Sequence, residues 1–298
     1  DDLVVYPAHG AGSACGKMMS KETTDTLGHQ KRTNYALRPG MNKEEFIKEL
    51  MTGLTAPPQY FPMNVLMNIQ GYESITEVVN RGTTPLSPDA IEAAANETGA
   101  VIIDTRAADE FAKGFIPNSI NISIDGNFAP WVGTLIPDIK QPILIVAEKG
   151  REEEVVTRLA RVGYDGAIGY LEGGFQKWKG MGKEVDEIMS VTPGKLAKVI
   201  NDPKTQVLDV RKKSEYDTEH IIQAENAPLD YINDSMLLVD KNKDCYVHCA
   251  SGYRSMSFAS ILKARGYDNV IDVKGGFKAI KDSGQFETTE YVQQKTEL

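Results

Sequence analysis

The chain has 298 residues, 41% hydrophobic and 25% charged, with Lys+Arg 33 against Asp+Glu 42 and a net charge of −9. Such proportions describe a globular protein of about two or three domains and exclude a disordered or fibrous chain. The acidic balance argues against a nucleic-acid surface, and no window approaches the ~18 uninterrupted apolar residues of a membrane span.

Three cysteines, Cys15, Cys245 and Cys249, are too few for a disulfide framework and point to a reducing, cytoplasmic compartment. From the first residue, Asp1, the apolar run Leu3-Val4-Val5-Tyr6 leads into a small-residue loop that holds His9, Ser13 and Cys15. Downstream stand Thr33-Asn34-Tyr35-Ala36-Leu37 and Pro57-Pro58-Gln59-Tyr60-Phe61-Pro62-Met63-Asn64. These stretches, over about residues 1 to 75, resemble the late histidine motif and tail of the metallo-β-lactamase superfamily, in the form seen in persulfide dioxygenases. The resemblance implies a C-terminal fragment of an αβ/βα domain, and one non-haem iron in a complete parent protein. The family's earlier His-x-His-x-Asp-His motif, and the later histidine and aspartate of its metal site, are not in this sequence. Its four histidines, His9, His29, His220 and His248, have no metal-ligand spacing, so neither cofactor nor metal ligand is expected in this chain. It reads as the rear portion of a longer enzyme, whose front half was cleaved, left out or never present. Cys15 is a candidate second thiol site, with a plain packing cysteine as the alternative.

From Ser87 onward the sequence repeats. Ser87-Pro88-Asp89 returns as Thr192-Pro193-Gly194, each an N-cap followed by proline at the first helical position. Asp104-Thr105-Arg106 returns as Asp209-Val210-Arg211, Glu110-Phe111 as Glu215-Tyr216, and Gly173-Gly174-Phe175 as Gly275-Gly276-Phe277. A duplicated domain of about a hundred residues follows. Short apolar strands alternate with helical patterns in each copy, which predicts α/β architecture: a parallel sheet flanked by helices, functional loops at the carboxyl ends of strands. The expected divisions are 1–83, the leading fragment plus linker; 84–188, the first copy; and 189–298, the second copy with a short tail.

The second copy carries the chemistry. Tyr246-Val247-His248 is a strand end, Cys249 follows, and Gly252 turns the chain into a helical pattern with Met256, Phe258, Ala259, Ile261 and Leu262 on its apolar positions. Backbone N–H groups at a helix start have no intrahelical partner, and with Arg254 and the helix dipole they favour a thiolate. Ala250, Ser251, Gly252, Tyr253 and Ser255 are therefore the candidate substrate cradle, with Cys249 and Arg254 catalytic. His248 adjoins the nucleophile, but alternate strand residues face opposite ways, so it reads as a neighbour and not a base. Cys245, beyond disulfide reach on the same strand, reads as packing.

Aligning Gly150 with Gly252 places Ala147 at the position of Cys249 and Glu152 at that of Arg254, so the first copy has no nucleophile. Glu148, Glu152, Glu153 and Glu154 are expected to repel anions there, against Lys149 and Arg151. The Asp-x-Arg and Glu-Phe/Tyr elements survive in both copies, which assigns Asp209, Arg211 and Glu215 to the scaffold.

Four residues, Ala250 to Tyr253, separate Cys249 from Arg254, one fewer than cysteine phosphatases use to wrap a phosphate. Cys-x-x-Gly-x-Arg after a strand, with Asp209-Val210-Arg211, Glu215-Tyr216 and Gly275-Gly276-Phe277 around it, resembles a rhodanese over about Thr192 to Gly284. The resemblance implies two tandem rhodanese-like domains, the second active, in the fusion known for persulfide dioxygenases. It also implies that Cys249 carries sulfane sulfur as a persulfide between thiosulfate or a thiol persulfide such as that of glutathione and a thiol, sulfite or cyanide acceptor, in sulfide detoxification. No nucleic-acid or membrane partner is expected, and self-association is open. Two other classes stay in view: a non-catalytic sulfur-carrier or interaction module, and a cysteine phosphatase or arsenate reductase, which the short loop disfavours.

Overall fold

The computed structural model describes residues 1–7, 22–51 and 60–292, so His9 and Cys15 lie outside the described residues. Among the described residues no helix is long and apolar enough to cross a membrane. The chain divides into two compact units, the second being Pro58–Val292. In the first unit, β1 (Val4–Val5) pairs antiparallel with β2 (Asp25–Thr26), followed by α1 (Leu27–Thr33) and α2 (Lys43–Met51). Thr26 caps α1 by accepting from His29 N, and the His29 ring bonds Asp25 at 2.7 Å. His29 is thereby a helix-start residue.

The second unit opens with α3 (Phe61–Gln70) and α4 (Ile75–Gly82). Tyr60, Met63, Met67 and Val78 pack into the core of the first copy, so packing draws these helices onto that copy although they precede the sequence boundary at residue 83. That copy runs β3 (Pro85–Leu86), α5 (Pro88–Thr98), β4 (Val101–Asp104), α6 (Ala108–Ala112), β5 (Ile120–Asn121), α7 (Phe128–Leu135), β6 (Ile143–Val146), α8 (Glu152–Ala160), β7 (Ala167–Leu171) and α9 (Gly174–Gly180). The second copy runs β8 (Ser190–Val191), α10 (Pro193–Ala197), β9 (Thr205–Asp209), α11 (Lys213–Thr218), β10 (Ala224–Asn226), α12 (Ile232–Ser235), β11 (Asp244–His248), α13 (Tyr253–Ala264), β12 (Val270–Val273) and α14 (Gly276–Ser283).

The two sheets have one topology. Their orders are β5-β4-β6-β7-β3 and β10-β9-β11-β12-β8, with every pairing parallel. Ile143 to Val146 are all buried, as expected of a central strand covered on both faces, and the wholly apolar ILIV run reflects that. The duplicated sequence elements occupy equivalent places. Asp104–Arg106 and Asp209–Arg211 form matching buried ion pairs, and each arginine lies over the Phe of the Gly-Gly-Phe element, 4.2 Å from Phe175 and 4.0 Å from Phe277. Each guanidinium also donates to a loop carbonyl, Gly114 O or Glu219 O, so these residues clamp the loop after β4 or β9 onto the sheet. A further repeated element not singled out in sequence is Asn121 and Asn226, each donating to the carbonyls of both members of its ion pair.

The copies share a core. Ile103, Phe111, Phe115 and Ile188 of the first belong to the same apolar cluster as Val247, Phe258 and Ile261 of the second. At the seam α13 lies on the edge strand β5 and on α6, with Asn121 N donating to Ser260 Oγ at 2.9 Å and Lys263 pairing with Asp186. Every residue from Ser255 to Leu262 is buried, serines included. A one-sided amphipathic helix was expected. The difference arises because α13 is covered by its own sheet on one side and the neighbouring copy on the other.

Candidate functional site

The site forms where the central strand β11 ends and α13 begins. Gly252 has φ +108°, a left-handed conformation costly for residues with a Cβ, and in it the Gly252 N–H donates to Cys249 Sγ at 3.1 Å. Cys249 is 1% exposed, at the floor of the loop. From below, the start of α14 supports the turn: Phe277 N donates to Cys249 O at 2.6 Å and Lys278 N to Ala250 O at 3.2 Å. Gly276 makes this approach possible, since a Cβ there would stand 2.4 Å from Cys249 O. The Gly-Gly-Phe element therefore supports the Cys249 loop directly. Its presence in both copies was visible in sequence, and this role was not.

Three of the predicted site residues, expected to contribute backbone amides or, for Arg254, charge, have their side chains engaged by partners within the protein. Arg254 is not free to hold an anion with its fork: Nη1 and Nη2 donate to the two carboxylate oxygens of Glu215 at 2.5 and 2.9 Å. Burial works against both charges, yet the pairing raises Arg254 and holds Glu215 below the usual carboxylate range. Glu215, assigned to the scaffold in sequence, thus positions Arg254, besides accepting from Lys212 N at the start of α11. Tyr253 turns away from the cradle, its hydroxyl donating to Ser123 O of the first copy at 2.9 Å. Ser255 is fully buried and donates to Asp272 Oδ1 at 2.7 Å. Ala250 and Ser251 complete the loop through their backbone, Ser251 being exposed. His248 is buried with Nδ1 4.0 Å from Asp209 Oδ1, and burial lowers its basicity, in keeping with a neighbour of the site. Cys245 is buried and its thiol is pushed up to about 12 by burial, which makes it a packing residue.

In the first copy the same turn is blocked from within. Gly150 has φ +88°, as its alignment with Gly252 requires, but its N–H donates to Glu152 Oε2 at 2.8 Å. A carboxylate of the chain itself occupies the donor that in the second copy points at sulfur. The expected excess of negative charge is smaller than the sequence implies, because Glu154 pairs with both Arg151 and Arg158. The obstacle is an occupied donor and an absent thiol, more than bulk repulsion. Among the described residues no group of three His, Cys, Asp or Glu side chains could hold a metal ion.

Comparison with known proteins agrees with this geometry. The family model of the rhodanese-like domain matches residues 87–181 and 192–283. Similar curated proteins include the uncharacterized protein YqhL of Bacillus subtilis, 33% identical over 75 residues, which are 25% of this chain and 60% of that protein. The putative sulfur carrier protein YrkF of the same species is 33% identical over 81 residues, 27% of this chain and 44% of its own length. This chain spans about half the length of these curated relatives. A solved metallo-beta-lactamase from Staphylococcus aureus aligns over 56% of this chain and 44% of that one at 29% identity, with a TM-score of 0.41. With matched stretches that together exceed half its length, and a cysteine loop intact in the second, the chain belongs to the rhodanese-like domain family, of which it carries two consecutive copies.

Proposed function

We propose that the protein is a sulfurtransferase that carries sulfane sulfur on Cys249. The observation behind this reading is the Gly252 N–H aimed at Cys249 Sγ in a loop with no side chain between donor and sulfur. In the first half-reaction the thiolate attacks the outer sulfur of thiosulfate: a bond forms between Cys249 Sγ and that sulfur, the donor's S–S bond breaks, and sulfite departs with the electron pair. A low-molecular-weight persulfide delivers sulfur in the same way, with a thiolate leaving. In the second half a thiol, sulfite or cyanide attacks the terminal sulfur and Cys249 returns as thiolate. Charge and electrons balance without a redox partner, and attack by a thiolate needs no separate base. The backbone donors favour the anion at both stages, acting without reorganisation.

The finer setting is a persulfide dioxygenase fusion acting on sulfide-derived persulfides in a reducing cytoplasm, with one non-haem iron in the complete parent. Its support is the motif between Leu3 and Gly16. The described residues offer no ligand set for that iron, so no step here passes through it. Phosphate-ester hydrolysis is disfavoured further, since Glu215 already fills the Arg254 fork that a bound phosphate would need. A second reading, a sulfur-carrying module without turnover, is favoured by the likeness to a protein named as a putative sulfur carrier. Whole-protein mass spectrometry after incubation with thiosulfate, then with cyanide, separates the two. The expected result is a gain of one sulfur on Cys249, catalytic discharge by cyanide, and loss of both in Cys249→Ser, whose oxygen cannot form a persulfide. Retention of most thiosulfate:cyanide activity in Cys249→Ser would place the site elsewhere.

A further inference from the structure

We propose that the nucleophile-free first copy is a working part of the site: its segment 123–126 clamps Tyr253, and through Tyr253 sets the orientation of the Gly252 N–H toward Cys249. This rests on the reading of Cys249 as the sulfur carrier. Tyr253 immediately follows Gly252, and its hydroxyl donates to Ser123 O at 2.9 Å. Its ring lies against Gly126 so closely that a Cβ at Gly126 would be 2.6 Å from a ring carbon. Burial raises the Tyr253 phenol well above its ordinary value, so it remains a donor.

The receiving segment is itself tightly held. Ile124 N donates to Thr105 O, Asp125 N donates to Ser123 Oγ at 3.3 Å, and Arg158 donates to Ile124 O at 2.8 Å. Arg151 Nη1 donates to Asp125 Oδ1 at 2.8 Å. By the alignment of Gly150 with Gly252, Arg151 is the counterpart of Tyr253. The residue after the loop glycine therefore grips the same segment from both copies. This gives the degenerate loop a use that its missing thiol does not, and Tyr253 is a positioning residue because its side chain reaches no sulfur.

The full chain tests this with Tyr253→Phe, Gly126→Ala, Tyr253→Leu and the Tyr253→Leu/Gly126→Ala double. One measurement is thiosulfate:cyanide turnover; the other is the pH midpoint of iodoacetamide alkylation at Cys249, located by peptide mass spectrometry. The midpoint, unlike the rate, does not depend on access. Tyr253→Phe is expected to lower kcat roughly fivefold with little change in KM, the effect of about one net hydrogen bond. Gly126→Ala, in the other copy, is expected to do at least as much, and both should move the alkylation midpoint to higher pH. With the ring gone in Tyr253→Leu, adding Gly126→Ala should cost nothing more. Wild-type kcat and midpoint in Tyr253→Phe and Gly126→Ala, or losses that multiply in the double, would overturn the clamp. If Gly126→Ala fails to fold, the isosteric Tyr253→Phe decides. Wild-type protein without sulfur transfer would defeat the proposed function, and the alkylation midpoints would still test the clamp.

Discussion

Arg254 and Glu215 form a closed fork beside Cys249, with the arginine side chain 15% and the glutamate side chain 36% exposed. In the proposed reaction a donor dianion meets a neutralised pair, so the charge expected to attract it is the field of backbone N–H groups more than a free guanidinium. The two side chains then act as one unit. Arg254→Ala and Glu215→Gln are each expected to lower turnover with thiosulfate, and the double mutant is expected to lose less than the product of the two. Multiplicative losses would show that Arg254 acts without Glu215. Asp272 presents a different residue-scale effect. It is buried and held by Ser255 and Ser190, and burial pushes its carboxyl from 3.8 up to about 6. The folded protein therefore binds more protons than the unfolded chain between those values, and stability falls as pH rises through that window. At about 1.4 kcal/mol per unit, the loss is roughly 3 kcal/mol. Asp109 adds to the rise and Lys274 opposes it. Denaturant unfolding at pH 4 and pH 6.5 should show a much smaller decline for Asp272→Asn than for wild type; parallel declines would mean that another group dominates.

At the scale of elements, the two loops after β6 and β11 show how one backbone turn takes opposite roles. Both bend at a positive-φ glycine and both lead into a helix, α8 or α13. In one the freed N–H meets sulfur, in the other the carboxylate of Glu152. Ala147→Cys in a Cys249→Ser background is accordingly expected to remain inert in sulfur transfer, because a returned thiol would lack the Gly150 donor and would face the Glu152 charge. Transfer at even a tenth of the wild-type rate would show that the carboxylate yields to the thiol. The alternation of strands and helices, the parallel sheets and the cysteine turn were legible in the sequence, since apolar runs and glycines encode them locally; the order of strands within each sheet was not. The partners of Tyr253, Ser255 and Arg254 were not. Each is chosen by a residue far along the chain, Ser123, Asp272 or Glu215, and no local pattern states which of several outward positions will meet it.

The whole second unit behaves as more than two domains in series. A duplicated sequence predicts two copies of one architecture, and the matching sheet orders agree with that. What the repeat could not show is that α13 would be buried on every side, its serines 257 and 260 included, by packing against β5 and α6 of the other copy. A serine on a helix ordinarily marks a solvent face; here Ser260 donates to Ser257 O and accepts from Asn121 N, so its hydroxyl is satisfied within the seam. Separating the copies would expose these groups together with the apolar residues around them, and that cost couples the two cores. Both tryptophans, Trp131 and Trp178, lie in the first copy, while the buried Cys245 lies in the second. Tryptophan fluorescence and Cys245 labelling thus report on different copies during denaturant unfolding. Their midpoints are expected to coincide, as one cooperative unit requires. Ser260→Lys, which places a charge in the seam, should separate them, with Cys245 becoming reactive at lower denaturant than the tryptophan transition. Two distinct midpoints in the wild-type protein would mean that the shared core contributes little, and that the copies unfold independently despite their contact.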